Sequence, residues 1–242
     1  MTQFVLVAGA WLGSWVWDEV VTGLRSAGHG AHAVTLSGLA DRRDAQGGAS
    51  IGQQQHVRDI VGEIERLDLR DVVLVGHSYS GIPVGQAAER IGERLARLVF
   101  VDSNVPTDGQ AFVRAAPDPR REPMVKALAE NAGFWPPPPA SDIADQDLSE
   151  EQLARFLAGA TPHPGASLTE PAVLERPLGE LPATYLKCLM DWPEPSEDVV
   201  ELLTSERWEL VEMNTGHWPM LSRPQELVEV LLAAAEKSER AG

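Results

Sequence analysis

Short apolar runs alternate with stretches of helical period over the first hundred residues. Residues 4–7 form a run suited to a buried strand. After a Gly-bearing turn, Val16, Val20, Leu24 and Ala27 recur on one face of a helix that Ser14 can cap and Gly28 ends. Residues 31–36 predict a second strand, and Val57, Ile60, Val61, Ile64 and Leu67 mark the next helix. That helix leads into residues 72–75, four consecutive aliphatic residues of the kind found in strands covered on both faces. Residues 98–101 predict a fourth strand, 183–189 and 208–213 two more, and 224–235 a closing helix. Strand and helix in alternation predict an α/β fold with a mostly parallel central sheet flanked by helices.

The pattern changes over 105–182, where prolines such as Pro117, Pro119, Pro123 and Pro136 to Pro139 break the chain into short acidic helices and loops. No strand-like run interrupts it. Apolar periodic pieces, Met124 with Leu128 and Leu153 with Phe156 and Leu157, predict a helical insertion lying over the sheet rather than a linker. The expected organisation is a core of 1–104 and 183–242 with a helical cap of 105–182 inserted before the last two strands.

Charge narrows the partners. Thirty-six acids against twenty bases in 242 residues leave a net charge of -16, which repels phosphate backbones and anionic lipid. No apolar run approaches the ~20 residues of a bilayer span, and residues 1–7 lack the basic leader of an export signal. A cytoplasmic protein with no nucleic-acid or membrane partner is expected, as a monomer or homodimer. The single cysteine, Cys188, forms no internal disulfide, and no Cys/His cluster has metal-ligand spacing; neither metal nor cofactor is expected.

The chemistry concentrates after the most hydrophobic strand, at Gly76-His77-Ser78-Tyr79-Ser80-Gly81. A sharp strand-to-helix turn holds its serine in strained geometry and needs small residues two positions either side, which Gly76 and Ser80 supply. The turn lifts the Ser78 hydroxyl clear of the sheet. A serine is a weak nucleophile until a base takes its proton, and His217, in the loop after the last predicted strand, is the base expected. His77 should point away from Ser78 and pack beneath the turn. Two acids compete to orient His217. Asp191 follows the strand 183–189 and is preferred, since Ser, Asp and His then come from three separate strand ends; Asp102, after the strand 98–101, is the alternative.

The first turn, Ala8-Gly9-Ala10-Trp11-Leu12-Gly13-Ser14-Trp15, superficially matches a nucleotide-binding loop, but no ribose-binding acid follows the second strand. It reads better as one side of an oxyanion hole in which the Ala10 and Tyr79 amides point at one oxygen. Seven tryptophans are many for this length, and Trp11, Trp192 and Trp218 adjoin proposed site residues, while Phe134 and Trp135 lie in the insertion. These five predict an apolar pocket for a bulky acyl or aromatic group.

These residues resemble the α/β-hydrolase superfamily, and within it the plant methylesterase and hydroxynitrile lyase group with its bacterial esterase relatives. The resemblance spans residues 4–17, the turn at Ser78, 101–109, 185–191 and 216–224. It implies a Ser78, Asp191, His217 triad, an oxyanion hole at Ala10 and Tyr79, and a helical cap. Two features depart from the pattern. Ala8 stands where family members commonly carry histidine. Gly9 and Trp218 stand where hydroxynitrile lyases carry threonine and lysine, so cyanohydrin cleavage is not expected. A serine at the elbow likewise disfavours the aspartate-nucleophile epoxide hydrolases and dehalogenases. The expected activity is hydrolysis of a carboxylic ester or lactone of a hydrophobic small molecule through an acyl-Ser78 intermediate. The alternatives are a natural-product tailoring reaction (C–C hydrolysis, cyclisation or lactone opening) by the same triad, and a non-catalytic ligand-binding protein of the same fold.

Overall fold

In the computed structural model, which describes residues 1–115 and 118–239, the six predicted runs become strands of one sheet. Pro117 lies outside the described residues. The chain runs β1 (Gln3–Val7), α1 (Asp18–Ser26), β2 (Gly30–Val34), α2 (Gln53–Arg66), β3 (Val72–His77), α3 (Gly81–Ile91) and β4 (Leu95–Val101). An intervening segment follows, with α4 (Phe112–Ala115), α5 (Asp118–Glu130), β5 (Phe134–Trp135), α6 (Glu150–Gly159), β6 (His163–Pro164) and α7 (Gly165–Thr169). It returns through β7 (Ala183–Cys188), α8 (Glu197–Leu202), β8 (Trp208–Met213), α9 (Pro219–Ser222) and α10 (Pro224–Glu239).

All pairings in the six-stranded sheet are parallel, in the order β2-β1-β3-β4-β7-β8. Because successive side chains of a strand point to opposite faces, β3 feeds two cores. Val72 and Leu74 pack with Val57, Ile60, Ile64 and Val84 of α2 and α3, whereas Val73 and Val75 pack with Val20, Leu24, Leu227 and Leu231 of α1 and α10. Burial on both faces is why this strand is a continuous apolar run rather than an alternating one.

Two local expectations change. Ser14 does not cap a helix: residues 14–17 form a 3-10 turn, and α1 begins at Asp18. The Ser14 amide donates to Thr35 Oγ1 at 3.0 Å and its Oγ accepts from the Thr35 hydroxyl at 3.0 Å, which ties the turn to the end of β2. The intervening segment is not free of strands either, since Phe134–Trp135 and His163–Pro164 pair antiparallel. Two residues per strand are too few to show a period of two.

That segment is seated on the core by buried polar groups. The Gln86 side-chain amide donates to Gln53 Oε1 at 2.7 Å, and Gln53 Nε2 donates to the Ser167 carbonyl at 3.3 Å. The Gln54 backbone amide donates to Glu170 at 2.9 Å. Such groups are costly to bury unpaired, so the network fixes where α7 docks.

Candidate active site

β3 delivers Ser78 to the carboxyl edge of the sheet. Its φ is +54°, the left-handed region that a residue with a Cβ enters only at a cost of about 1–3 kcal/mol. The close approaches that hold it there come from glycines. A Cβ on Gly9 would lie 2.7 Å from the Ser78 Cβ and 2.8 Å from His77 Nδ1. One on Gly81 would collide with the Asn104 carbonyl and Ser103. Ser80 does more than stay small: its buried hydroxyl accepts the His77 amide at 2.8 Å and lies 2.8 Å from the Val7 carbonyl, bonding the turn to β1.

His217 reaches Ser78 from the loop after β8, with Nε2 2.9 Å from the Ser78 Oγ. Its Nδ1 is 2.6 Å from Asp102 Oδ2 and 3.6 Å from Asp191 Oδ2. The preference for Asp191 is therefore corrected: the hydrogen bond runs to Asp102, and Asp191 stands just beyond bonding distance. Sheet order is the reason, because β4, which ends before Asp102, lies directly beside β3, while β7, which leads to Asp191, is one strand further out. Asp102 itself adopts φ +41°, and its carboxylate is buried with Lys187 paired to its other oxygen. Burial pushes this carboxyl up, but the His217 hydrogen bond and charge, together with the Lys187 ammonium, outweigh it and hold the group down at about 2.

Both peptide groups of His217 are also gripped. Its amide donates to Gln146 Oε1 at 2.6 Å, and its carbonyl accepts from His77 Nε2 at 2.8 Å. His77 thus hydrogen-bonds across to the imidazole loop as well as packing beneath the turn. Gly216 is needed beside it because a Cβ there would overlap the Gln146 backbone.

Among the described residues, Asp102, Asp191 and His217 are the group whose ligand atoms converge, within 4.8 Å of one another. They do not suit a metal ion. The Lys187 ammonium already provides the positive charge on Asp102, and Nδ1 of His217 is engaged in the bond that orients it.

Tyr79 follows Ser78 directly, and Gly9, the neighbour of Ala10, lies against the Ser78 Cβ. Tyr79 lies in the single 3-10 turn that begins at Ser78, a position where the N–H has no preceding carbonyl of the turn to bond. Ala10 is buried and precedes Trp11, whose φ is +67°. Of the five expected pocket residues, Trp11 and Trp135 pack together with ring centroids 4.2 Å apart, and Phe112, not anticipated, lies 6.1 Å from Trp135 and 5.4 Å from Tyr79. Trp218 lies edge-on to the His217 ring at 5.1 Å, and the other two are elsewhere. Trp218 is buried against Phe156 at 4.9 Å, Phe134 faces the loop at Gly48, and Trp192 is half-exposed with the Arg120 guanidinium 4.9 Å over its ring.

Sequence reasoning missed Lys187, Gln146, His56 and His163. Only Lys187 carried a signal: a lysine inside an apolar strand demands a buried counter-ion, and Asp102 is that ion.

The buried imidazoles predict an acid-labile fold. Burial lowers His56 to about 4, and burial with the neighbouring His217 lowers His77 to about 3. In the unfolded chain both protonate near pH ~6.5, so below that pH the unfolded state binds more protons and stability falls with pH. The loss should amount to about 1.4 kcal/mol per pH unit for each histidine, starting near pH ~6.5. Urea midpoints should drop steadily between about pH 6.5 and about pH 4.5; a flat midpoint would show that these rings are charged in the native protein.

A sequence model of the alpha/beta hydrolase family matches residues 4–230. The chain belongs to this family. Among its relatives is the carbendazim hydrolyzing esterase of Nocardioides sp. (strain SG-4G), 32% identical, with 96% of this chain and 99% of that protein aligned. Esterase PIR7B of Oryza sativa subsp. japonica is 28% identical over 98% of this chain and 97% of that protein. In three dimensions the α/β-hydrolase fold is shared with an extracellular alpha/beta-hydrolase from a Paenibacillus species, at TM-score 0.84 and 23% identity over 97% of this chain and 99% of that one. The six-stranded parallel sheet and the intervening helical segment are what that fold predicts, and the resemblance to plant methylesterases and bacterial esterases stands. Among the described residues no helix is long and apolar enough to cross a membrane.

Proposed function

We propose that this α/β-hydrolase cleaves carboxylic esters of hydrophobic small molecules through an acyl-Ser78 intermediate. The observation that carries the reading is the continuous hydrogen-bond chain from Ser78 Oγ through His217 to Asp102, built on a serine at φ +54°. Ser78 Oγ attacks the ester carbonyl while its proton passes to His217 Nε2, and the carbonyl oxygen becomes an anion facing the Ala10 and Tyr79 amides. As the carbonyl re-forms, the C–O bond to the alcohol breaks and the imidazolium protonates the departing oxygen. Water then gives a proton to His217 and attacks the acyl carbon, and the tetrahedral anion collapses to release the acid and return the proton to Ser78. Asp102 orients the ring and stabilises the imidazolium; the bond to His217 and, with it, the Lys187 ammonium keep Asp102 ionised.

The esterase names of relatives that align over nearly the whole chain support ester hydrolysis. The ring cluster of Trp11, Trp135 and Phe112, which meets Tyr79 next to the serine, supports an apolar, ring-bearing acyl group. We read residues 105–182 as the cap over that pocket, seated by the glutamine network and by Gln146. The test is covalent labelling. A fluorophosphonate should modify the native enzyme once, on Ser78, as located by peptide mass spectrometry, and abolish aryl ester turnover in proportion; a label on another residue, or turnover surviving full labelling, would overturn the reading.

A further inference from the structure

Trp11 is a bulky residue in the left-handed region, and it is the residue directly after the expected oxyanion donor Ala10. A conformation of that kind persists only where its surroundings over-determine it. Among the described residues, its hydrogen-bond partners all come from the intervening segment. The Trp11 carbonyl accepts from the Thr161 amide at 2.8 Å, its indole Nε1 donates to the Trp135 carbonyl at 3.1 Å, and its backbone amide donates to His163 Nδ1 at 3.4 Å. Trp135 and His163 stand opposite each other in the β5·β6 pair, so one small ladder presents both contacts to the turn.

The hydrogen-bond partners around His163 assign its tautomer. Ser167 has one hydroxyl proton and gives it to the Pro164 carbonyl at 2.7 Å, so at 2.9 Å it must accept from His163 Nε2–H. Nδ1 is then the ring's lone pair, aimed at the Trp11 amide. The same logic fixes His56, whose Nε2–H donates to the Ser37 carbonyl at 2.9 Å and whose Nδ1 accepts the Tyr79 hydroxyl at 2.8 Å. The His163 ring lies edge-on to Tyr79 at 4.5 Å. One buried imidazole therefore touches Trp11, the residue after Ala10, and the ring of Tyr79 itself. Burial, with His56 nearby, lowers His163 well below the ordinary histidine value, so Nδ1 remains an acceptor at neutral pH.

We propose that His163 is a positioning residue for the oxyanion site: by accepting the Trp11 amide it fixes the turn that presents the Ala10 N–H. The inference rests on the acyl-serine reading above. It gives the turn after Ala8 a brace from the cap segment, at a place where the chain has no histidine of its own.

The test compares His163→Leu, which has no acceptor, with His163→Asn, whose amide oxygen can occupy the Nδ1 position. Kinetics on an aryl ester are measured alongside inhibition by an aryl trifluoromethyl ketone, which forms an oxyanion with Ser78, and by the matching methyl ketone, which reports binding alone. His163→Leu should lower kcat by roughly 10- to 100-fold, less than the loss of a whole oxyanion donor, and weaken the trifluoromethyl ketone by a similar factor. KM and the methyl ketone should change less than about threefold, and His163→Asn should recover most of the loss. An unchanged kcat in folded His163→Leu, or equal damage in His163→Asn, would overturn the proposal. Should His163→Leu not fold, Ser167→Ala removes the bond that sets the tautomer, and kcat must fall at constant KM; an unaltered kcat rejects the idea. If the native enzyme binds the trifluoromethyl ketone no more tightly than the methyl ketone, the acyl-serine reading itself fails, an outcome distinct from failure of the His163 assignment alone.

Discussion

Ser78→Ala is expected to reduce kcat on a simple aryl ester by roughly 10⁴- to 10⁶-fold, with KM little changed. The size follows from the absence of a substitute. Ser80 carries the adjacent hydroxyl, but it is wholly buried and already bonded to the His77 amide and the Val7 carbonyl, so it cannot turn toward a substrate. What survives should come from the amides that face the oxyanion and from substrate binding, which in serine hydrolases leave about 10³- to 10⁴-fold over water. Pre-steady-state kinetics with substrate in excess should show no acylation burst. A variant that keeps its burst, or activity within about tenfold of native, would mean that another group attacks the carbonyl.

The second large effect separates the two carboxylates. Asp102→Asn should lower kcat by about 10³- to 10⁴-fold, because an amide facing Nδ1 favours the tautomer that cannot accept the Ser78 proton. Asp191→Asn should cost less than about tenfold, since a 3.6 Å approach makes no hydrogen bond. One complication is built into the site. Asp102→Asn strands the buried Lys187 ammonium, and an uncompensated buried charge costs about 3–5 kcal/mol of stability. The double variant Asp102→Asn with Lys187→Met removes that charge, so it should regain thermal stability while kcat stays low. Activity returning along with stability would make Asp102 a structural ion-pair partner only, and the reverse ranking of the two single variants would assign the orienting role to Asp191.

Much of this protein was legible in the chain because its signals are local. The inner strands β1, β3 and β4 show as apolar runs because parallel strands covered on both faces cannot alternate. The edge strand β8, by contrast, mixes Glu209 and Glu212 with its apolar residues and is only partly covered. The Gly76 to Gly81 turn shows because its sterics require small residues at set positions around Ser78, whatever the rest of the protein does. His217 shows by its place after the last strand.

The carboxylate was different. Asp102 and Asp191 both follow strands, and the chain order favours Asp191; which one meets the imidazole depends on β4 lying beside β3, a fact of strand order that no short window contains. Trp11 and His163 make the same point across 152 positions. Local pattern determined which segments are strands, where the turn is sharp and which serine it exposes, because backbone sterics and burial act on neighbours in sequence. Tertiary structure alone decided which acid, which buried imidazole and which parts of the intervening segment surround that serine, because hydrogen bonds over a few ångströms select partners by position in space.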